Sequence, residues 1–125
     1  MNNTAAKRPL VLLVEDELFI REDAAAIIRS AGFDVMEAAN ADEAIKILES
    51  NLNVAIVFTD VQMPGSMDGL KLAAAVRGRW PPIKIVATSG LVDIQAHHLP
   101  DGGKFLPKPY RPTDVVDILR EVMAA

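Results

Sequence analysis

Four short stretches carry side chains that could do chemistry together. Glu15-Asp16-Glu17 follows the apolar run Leu10-Val11-Leu12-Leu13-Val14, and Asp60 closes the run Val54-Ala55-Ile56-Val57-Phe58-Thr59. Thr88-Ser89-Gly90 ends a third such run, and Lys108 stands between two prolines just after Lys104-Phe105-Leu106. Several carboxylates in one crevice repel one another, so they need a cation or must take up protons. An all-oxygen site that is partly open suits Mg²⁺, or Mn²⁺ in its place. A lysine beside it adds a point charge for a carboxylate or a phosphate oxygen. Such a set can bind a phosphoryl group in transfer, with the Asp60 carboxylate attacking phosphorus in line. The metal and Lys108 then neutralise the equatorial oxygens, and the hydroxyl of Ser89 or Thr88 donates to one of them. The product is an acyl phosphate, which water eventually hydrolyses.

Each of these residues needs an element that ends where the chemistry begins. Residues 54–59 are almost continuously apolar, the pattern of a strand buried on both faces, and Pro64, Gly65 and Gly69 force a loop behind it. Residues 10–14, 33–37, 83–88 and 104–106 are predicted as the other strands. The first helix carries Ile20, Ala24, Ile27, Ile28 and Ala31 at helical spacing, with Gly32 as its stop. Asn40 caps a second helix with the stripe Ala41, Ala44, Ile45 and Leu48. Asp68-Gly69 starts a third, lined by Leu72, Ala73, Val76 and Trp80 and ended by Pro81-Pro82. Residues 93–99 make about two helical turns, followed by the loop Pro100-Asp101-Gly102-Gly103. The last helix has Pro112 at its first position, Asp114 in its first turn, and an inner face of Val115, Ile118, Leu119 and Val122.

Strands alternating with helices predict an α/β protein with a parallel five-stranded sheet covered on both faces. The doubly wound strand order 2-1-3-4-5 makes the first and third strands neighbours, so their terminal acids converge at the carboxyl edge, where open α/β sheets keep their sites.

The chain has 125 residues, half of them apolar, enough for one domain with a real core. A net charge of −4 argues against non-specific binding to nucleic acid or anionic membrane. There is no cysteine, which excludes disulfides and thiolate metal sites. No apolar run approaches the roughly 20 residues of a membrane span, and Glu15 and Asp16 interrupt the only run that could pass for a signal peptide. A cytoplasmic protein is expected.

The segments Leu13-Val14-Glu15-Asp16-Glu17, Asp60 with Met63-Pro64 and Met67-Asp68-Gly69, Thr88-Ser89-Gly90, and Phe105-Leu106-Pro107-Lys108-Pro109-Tyr110 resemble the receiver domain of two-component response regulators. The match runs through essentially the whole chain, in order and spacing. The resemblance implies a flavodoxin-like doubly wound (βα)5 sandwich over residues 8–125 behind a flexible tail of residues 1–7. It implies that Asp60 is the phosphoacceptor and that the donor is the phosphohistidine of a histidine kinase or phosphotransfer protein. Asp16 and Asp60 are then direct Mg²⁺ ligands, Glu15 acts directly or through water, and Gln62 contributes its backbone carbonyl. Lys108 is the family's lysine, with a cis bond to Pro109. The switch hydroxyl is Ser89, before Gly90, with Thr88 as its alternative, and Phe105 is the switch aromatic. Phosphorylation draws the hydroxyl inward and Phe105 follows, changing the face made by the fourth and fifth strands. The chain departs from the usual pattern in carrying Glu15 where Asp is commoner, in a loop one residue longer between Met63 and Gly69, and in a short segment between Gly90 and Lys104.

The resulting expectation is a stand-alone response regulator with no output domain, a monomer or weak homodimer acting on a downstream protein. It is not an enzyme beyond its own phosphorylation and dephosphorylation. The alternative is a phosphorylation-independent interaction module of the same fold, which the intact acid, lysine and hydroxyl set disfavours. A flavin carrier is disfavoured by the acidic loop after the first strand. An aspartyl-phosphate phosphatase is disfavoured by Gln62, which occupies the place of its general acid. His97 and His98 are adjacent rather than at i, i+4 and are read as surface residues. Trp80 is read as a helix-end packing residue and Thr59 as a neighbour that packs or hydrogen-bonds beside the site.

Overall fold

A computed structural model describes residues 8–50, 53–63, 65, 67–90 and 98–124. The expected tail of residues 1–7, Pro64, His97 and all but the end of the helical turns expected over residues 93–99 lie outside the described residues. The elements follow as β1 (Leu10–Val14), α1 (Leu18–Ser30), β2 (Asp34–Ala38), α2 (Ala41–Ser50), β3 (Val54–Asp60), α3 (Gly69–Arg79), β4 (Lys84–Ser89), β5 (Lys104–Pro107) and α4 (Pro112–Ala124). The strands form one sheet in the order β2-β1-β3-β4-β5, and every neighbouring pair is parallel. The chain is therefore a doubly wound α/β sandwich.

Strand alternation sends successive side chains to opposite faces, and each face meets its own pair of helices. Leu12, Val14, Val57, Ile85 and Ala87 pack against Ala41, Ala44 and Leu48 of α2 and Leu72, Ala73 and Val76 of α3. Val11, Leu13, Ile56, Phe58 and Val86 pack against Ala24, Ala25 and Ile28 of α1 and Val115, Leu119 and Val122 of α4. The three central strands are thus sealed on both sides, which is why they read as apolar runs.

Side chains fix where the helices begin. Asn40 accepts from the Glu43 N–H at 2.9 Å while the Glu43 carboxylate accepts from the Ala39 N–H at 3.0 Å, a reciprocal cap at the start of α2. Asp68 accepts from the Lys71 N–H at 2.9 Å and caps α3. Glu17 caps α1 by accepting from the Phe19 N–H at 3.2 Å. At the end of α1, Gly32 takes φ +100°, a conformation open to glycine at little cost. Trp80 is a packing residue, partly buried against the core cluster that holds the inner faces of α2 and α3, and Arg79, paired with Glu49 at 2.9 Å, lies 4.4 Å above its ring.

One expectation for the core is corrected. Ile20 does not join the buried stripe of α1: it is 40% exposed, beside Leu18 at 47% and Phe19 at 72%. The inner face of α1 is carried by Ala24, Ala25 and Ile28, and the first turn finds no buried cluster to join.

Candidate functional site

The carboxyl ends of β1, β3, β4 and β5 meet at one edge of the sheet. Glu15 follows β1 and is held there from both sides of its backbone: its N–H donates to Ala38 O at 3.0 Å, and its carbonyl accepts from the Arg21 guanidinium at 2.8 Å. Its carboxylate accepts from the Glu17 N–H at 3.1 Å, which curls it back over the strand end. Asp60 ends β3 and is 7% exposed, while Asp16 is exposed at the rim. One oxygen from each of Glu15, Asp16 and Asp60 can be chosen so that all lie within 4.8 Å of one another.

Lys108 reaches this cluster from the end of β5. Its N–H donates to Ser89 O at 2.9 Å, and the Lys108–Pro109 bond is cis. The ammonium lies 3.4 Å from Asp60 Oδ1 and 3.6 Å from Glu15 Oε1, longer than the ~2.7–2.9 Å of a tight charge-assisted hydrogen bond. It straddles the two acids. Asp60 Oδ1 is buried and accepts no hydrogen bond among the described residues.

Burial pushes the Asp60 carboxyl above its ordinary range, against the pull of Lys108 and the Gln62 backbone N–H. Burial likewise raises Glu15, helped by the charge of Asp60 and opposed by the Glu17 N–H and Lys108. For Lys108 burial works downward, but the charges of Asp60 and Glu15 outweigh it and the ammonium holds its proton more firmly than usual. The acids are short of positive charge even with Lys108 present. A desolvated, acceptor-only oxygen beside two further carboxylates is the donor set of a hard divalent cation, and these residues fit Mg²⁺.

The two hydroxyls differ in direction. Thr88 is the register partner of Asp60, so side-by-side pairing in a parallel sheet places it on the Asp60 face. Ser89 falls on the opposite face with Ala87, whose register partner is Phe105. Both are buried, and Phe105 is half-buried against the cluster that contains Ala87. Gln62 is exposed in the loop after β3, and His98 is exposed in the segment between β4 and β5. The structure therefore gathers Glu15, Asp16, Asp60 and Lys108 into one pocket, with Thr88, Ser89 and Phe105 on the adjoining strands.

Three residues support the site that the sequence pattern did not single out for it, and Thr59 joins them where the pattern expected it. Gly69 brings the start of α3 against the back of Asp60: its N–H donates to Val61 O at 2.9 Å, and a Cβ there would collide with the Asp60 carbonyl and come within 2.8 Å of Val61 Cα. Arg21 ties α1 to both Glu15 O and the Glu37 carboxylate, the latter at 3.2 Å. Tyr110 packs edge-on against Phe58, ring centroids 6.4 Å apart, two residues beyond Lys108. Thr59 is fully buried and donates to Asp60 O at 2.9 Å.

The family model of the response regulator receiver domain matches residues 11–120. The chain belongs to this family. Receiver domains are modules of two-component signalling rather than classical enzymes. Among curated relatives, this receiver domain is 39% identical over 117 residues to the sensor kinase CckA of Brucella abortus, a match covering 90% of the chain and 12% of that protein. A putative NtrX-like response regulator of Rickettsia bellii is 33% identical over 114 residues, covering 88% of the chain and 24% of that protein. The chain thus spans a quarter or less of these relatives. Of solved structures, the receiver domain of the hybrid histidine kinase CckA has a TM-score of 0.78 at 32% identity, over 91% of the chain and 98% of that structure. The response regulator TrrA of Thermotoga maritima, in complex with Mg²⁺ and BeF, has a TM-score of 0.79 at 25% identity, over 90% of the chain and 97% of that structure. Among the described residues of this receiver domain, no helix is long and apolar enough to cross a membrane.

Proposed function

We propose that this receiver domain takes a phosphoryl group onto Asp60 from the phosphohistidine of a partner histidine kinase or phosphotransfer protein. The observation that carries the reading is the buried Asp60 Oδ1, which accepts no hydrogen bond among the described residues and faces Lys108 across 3.4 Å. That oxygen is free to attack phosphorus; one P–O bond forms, the P–N bond breaks, and the bonding pair leaves on the imidazole nitrogen. The deprotonated carboxylate is the reactive form, and Lys108 both favours it and is positioned to take the phosphoryl oxygens afterwards.

Glu15, Asp16, Asp60 and the backbone carbonyl of Gln62 are the residues that would hold Mg²⁺. The bound ion supplies neutralisation of charge on the phosphoryl oxygens. Ser89 is the switch hydroxyl in this reading, because strand alternation places it in the row of Ala87, whose partner is Phe105. Thr88 lies beside Asp60 and serves the wall of the pocket. Drawing Ser89 toward a phosphoryl oxygen leaves room that Phe105 fills, and the β4–β5 face then presents a different surface to a downstream protein.

Incubation with Mg²⁺ and acetyl phosphate tests the proposal by intact-mass spectrometry. A gain of one phosphoryl group that is lost in Asp60→Asn, and lost when Mg²⁺ is chelated, is the expected result. An unchanged mass in the unmodified chain would instead identify an interaction module that works without phosphorylation. Ser89→Ala is expected to keep phosphorylation but abolish the chemical-shift change at Phe105, whereas Thr88→Val keeps both.

A further inference from the structure

At the opposite edge of the sheet from Asp60, the amino-terminal ends of β4 and β5 frame a cleft of about 300 Å³. Its lining includes Arg77 from the last turns of α3, Lys84 and Lys104 at the starts of the two strands, and Asp101 and Gly102 from the loop before β5. Arg77 is the unusual member. It is only half-exposed, its Nε is buried, and that N–H meets no acceptor among the described residues. A guanidinium has five donors and no acceptor, and a desolvated N–H left unpaired is costly, so arginines are rarely buried without a partner. Gly102 keeps the space in front of it open, because a Cβ there would stand 3.1 Å from Arg77 Nη2. Gly102 holds φ +84°, a conformation in which glycine is favoured.

The charge points the same way. Among the described lining residues, Arg77, Lys84 and Lys104 stand beside one carboxylate, Asp101, in a chain whose net charge is −4. Lys104 is paired with Glu121, 2.9 Å away at the rim, whereas the Arg77 Nε–H meets no acceptor among the described residues. A planar fork of N–H donors in a small cleft is matched by an oxyanion that accepts two parallel hydrogen bonds. The volume is at the low end for ligand sites and suits a small molecule.

We infer that this cleft binds a small phosphate-type oxyanion through the Arg77 guanidinium. The site is separate from the phosphoacceptor pocket and does not depend on the chemistry proposed for Asp60. Free phosphate and a phosphomonoester share the recognised group, and the cleft's size favours the former.

The test is a ¹⁵N NMR titration of the full chain in chelator, at constant ionic strength held with chloride. Inorganic phosphate, glycerol phosphate and acetate are added separately, and the Arg77 Nε–H and the Gly102 and Gly103 amides are followed. Saturable shifts with inorganic phosphate, weakened at least about tenfold in Arg77→Gln and unchanged in Lys71→Gln, are the expected result; that factor is the scale of one lost charge-assisted contact. Stronger binding of glycerol phosphate assigns the group to a phosphomonoester and keeps the site. Should Arg77→Gln fail to fold, Arg77→Lys carries the test, since it keeps the charge but loses the planar fork, with a several-fold loss expected. Shifts that never saturate, that survive Arg77→Gln, or that acetate reproduces equally would overturn the assignment.

Discussion

At the scale of single residues, the site is built against its own comfort. Asp60 and Glu15 are both raised by burial, so each binds its proton more firmly folded than unfolded. Their contribution to stability is therefore full below the unfolded carboxylate range near pH 4 and is lost as pH rises through the raised folded values. In chelator the chain is expected to lose stability as pH rises from about 4, and Asp60→Asn to flatten that loss and to add about 1 kcal/mol of stability at neutral pH, read as a raised Tm. Added Mg²⁺ should raise the Tm of the unmodified chain, since a ligand that binds only the folded state stabilises it, and should do little for Asp60→Asn. Calorimetry across pH with and without Mg²⁺ reads all three. Gly69→Ala puts a methyl group against the Asp60 carbonyl and Val61 Cα, both backbone, so neither can swing aside. A loss of about 1–3 kcal/mol in chemical denaturation is expected, with lowered phosphorylation because the displaced atoms belong to Asp60 itself. Nothing in the residue pattern marked Gly69 for this, because a loop glycine and a glycine under a reactive backbone look alike until the strand order brings them together.

At the scale of elements, legibility followed burial. Strands β1, β3 and β4 are sealed between two layers of helices and announce themselves as apolar runs within a residue of their ends. The caps at Asn40 and Asp68 were equally visible, because the same side chain that stops the preceding segment accepts from the new helix. Asn40→Ala is expected to cost about 1 kcal/mol, measured by urea denaturation. Exposed Asp114 accepts from the Arg111 N–H at 2.8 Å, and this contact lowers its pKa. Its contribution to α4 is thus present above the ordinary carboxylate range and lost as pH falls through the depressed value, visible as fraying of α4 by NMR at low pH. The first turn of α1 misled the pattern. Ile20 sits one helical step before Ala24, yet periodicity alone carries no information about where the sheet beneath the helix stops. Arg21 was illegible for a related reason: its two partners, Glu15 O just past β1 and Glu37 in β2, become neighbours only through the β1–β2 pairing.

At the scale of the whole molecule, the doubly wound order does the gathering. Adjacent β1 and β3 bring acids separated by some 45 residues of chain into one pocket, and β4 and β5 add the hydroxyls and the lysine. Glu15, Lys108 and Val61, the residue after Asp60, are also tied by backbone hydrogen bonds to the strand beside them: Glu15 N–H to Ala38 O, Val61 N–H to Thr88 O and Lys108 N–H to Ser89 O, at 2.9–3.0 Å. These amide protons are laced into the centre of the sheet. In deuterium oxide they are expected to exchange only through the largest openings, at the same rate as the amides of Val57 and Val86, while those of the α1 first turn exchange early. The pocket then outlasts every partial loosening of its covering helices, and mild heat or denaturant abolishes it only together with the entire fold.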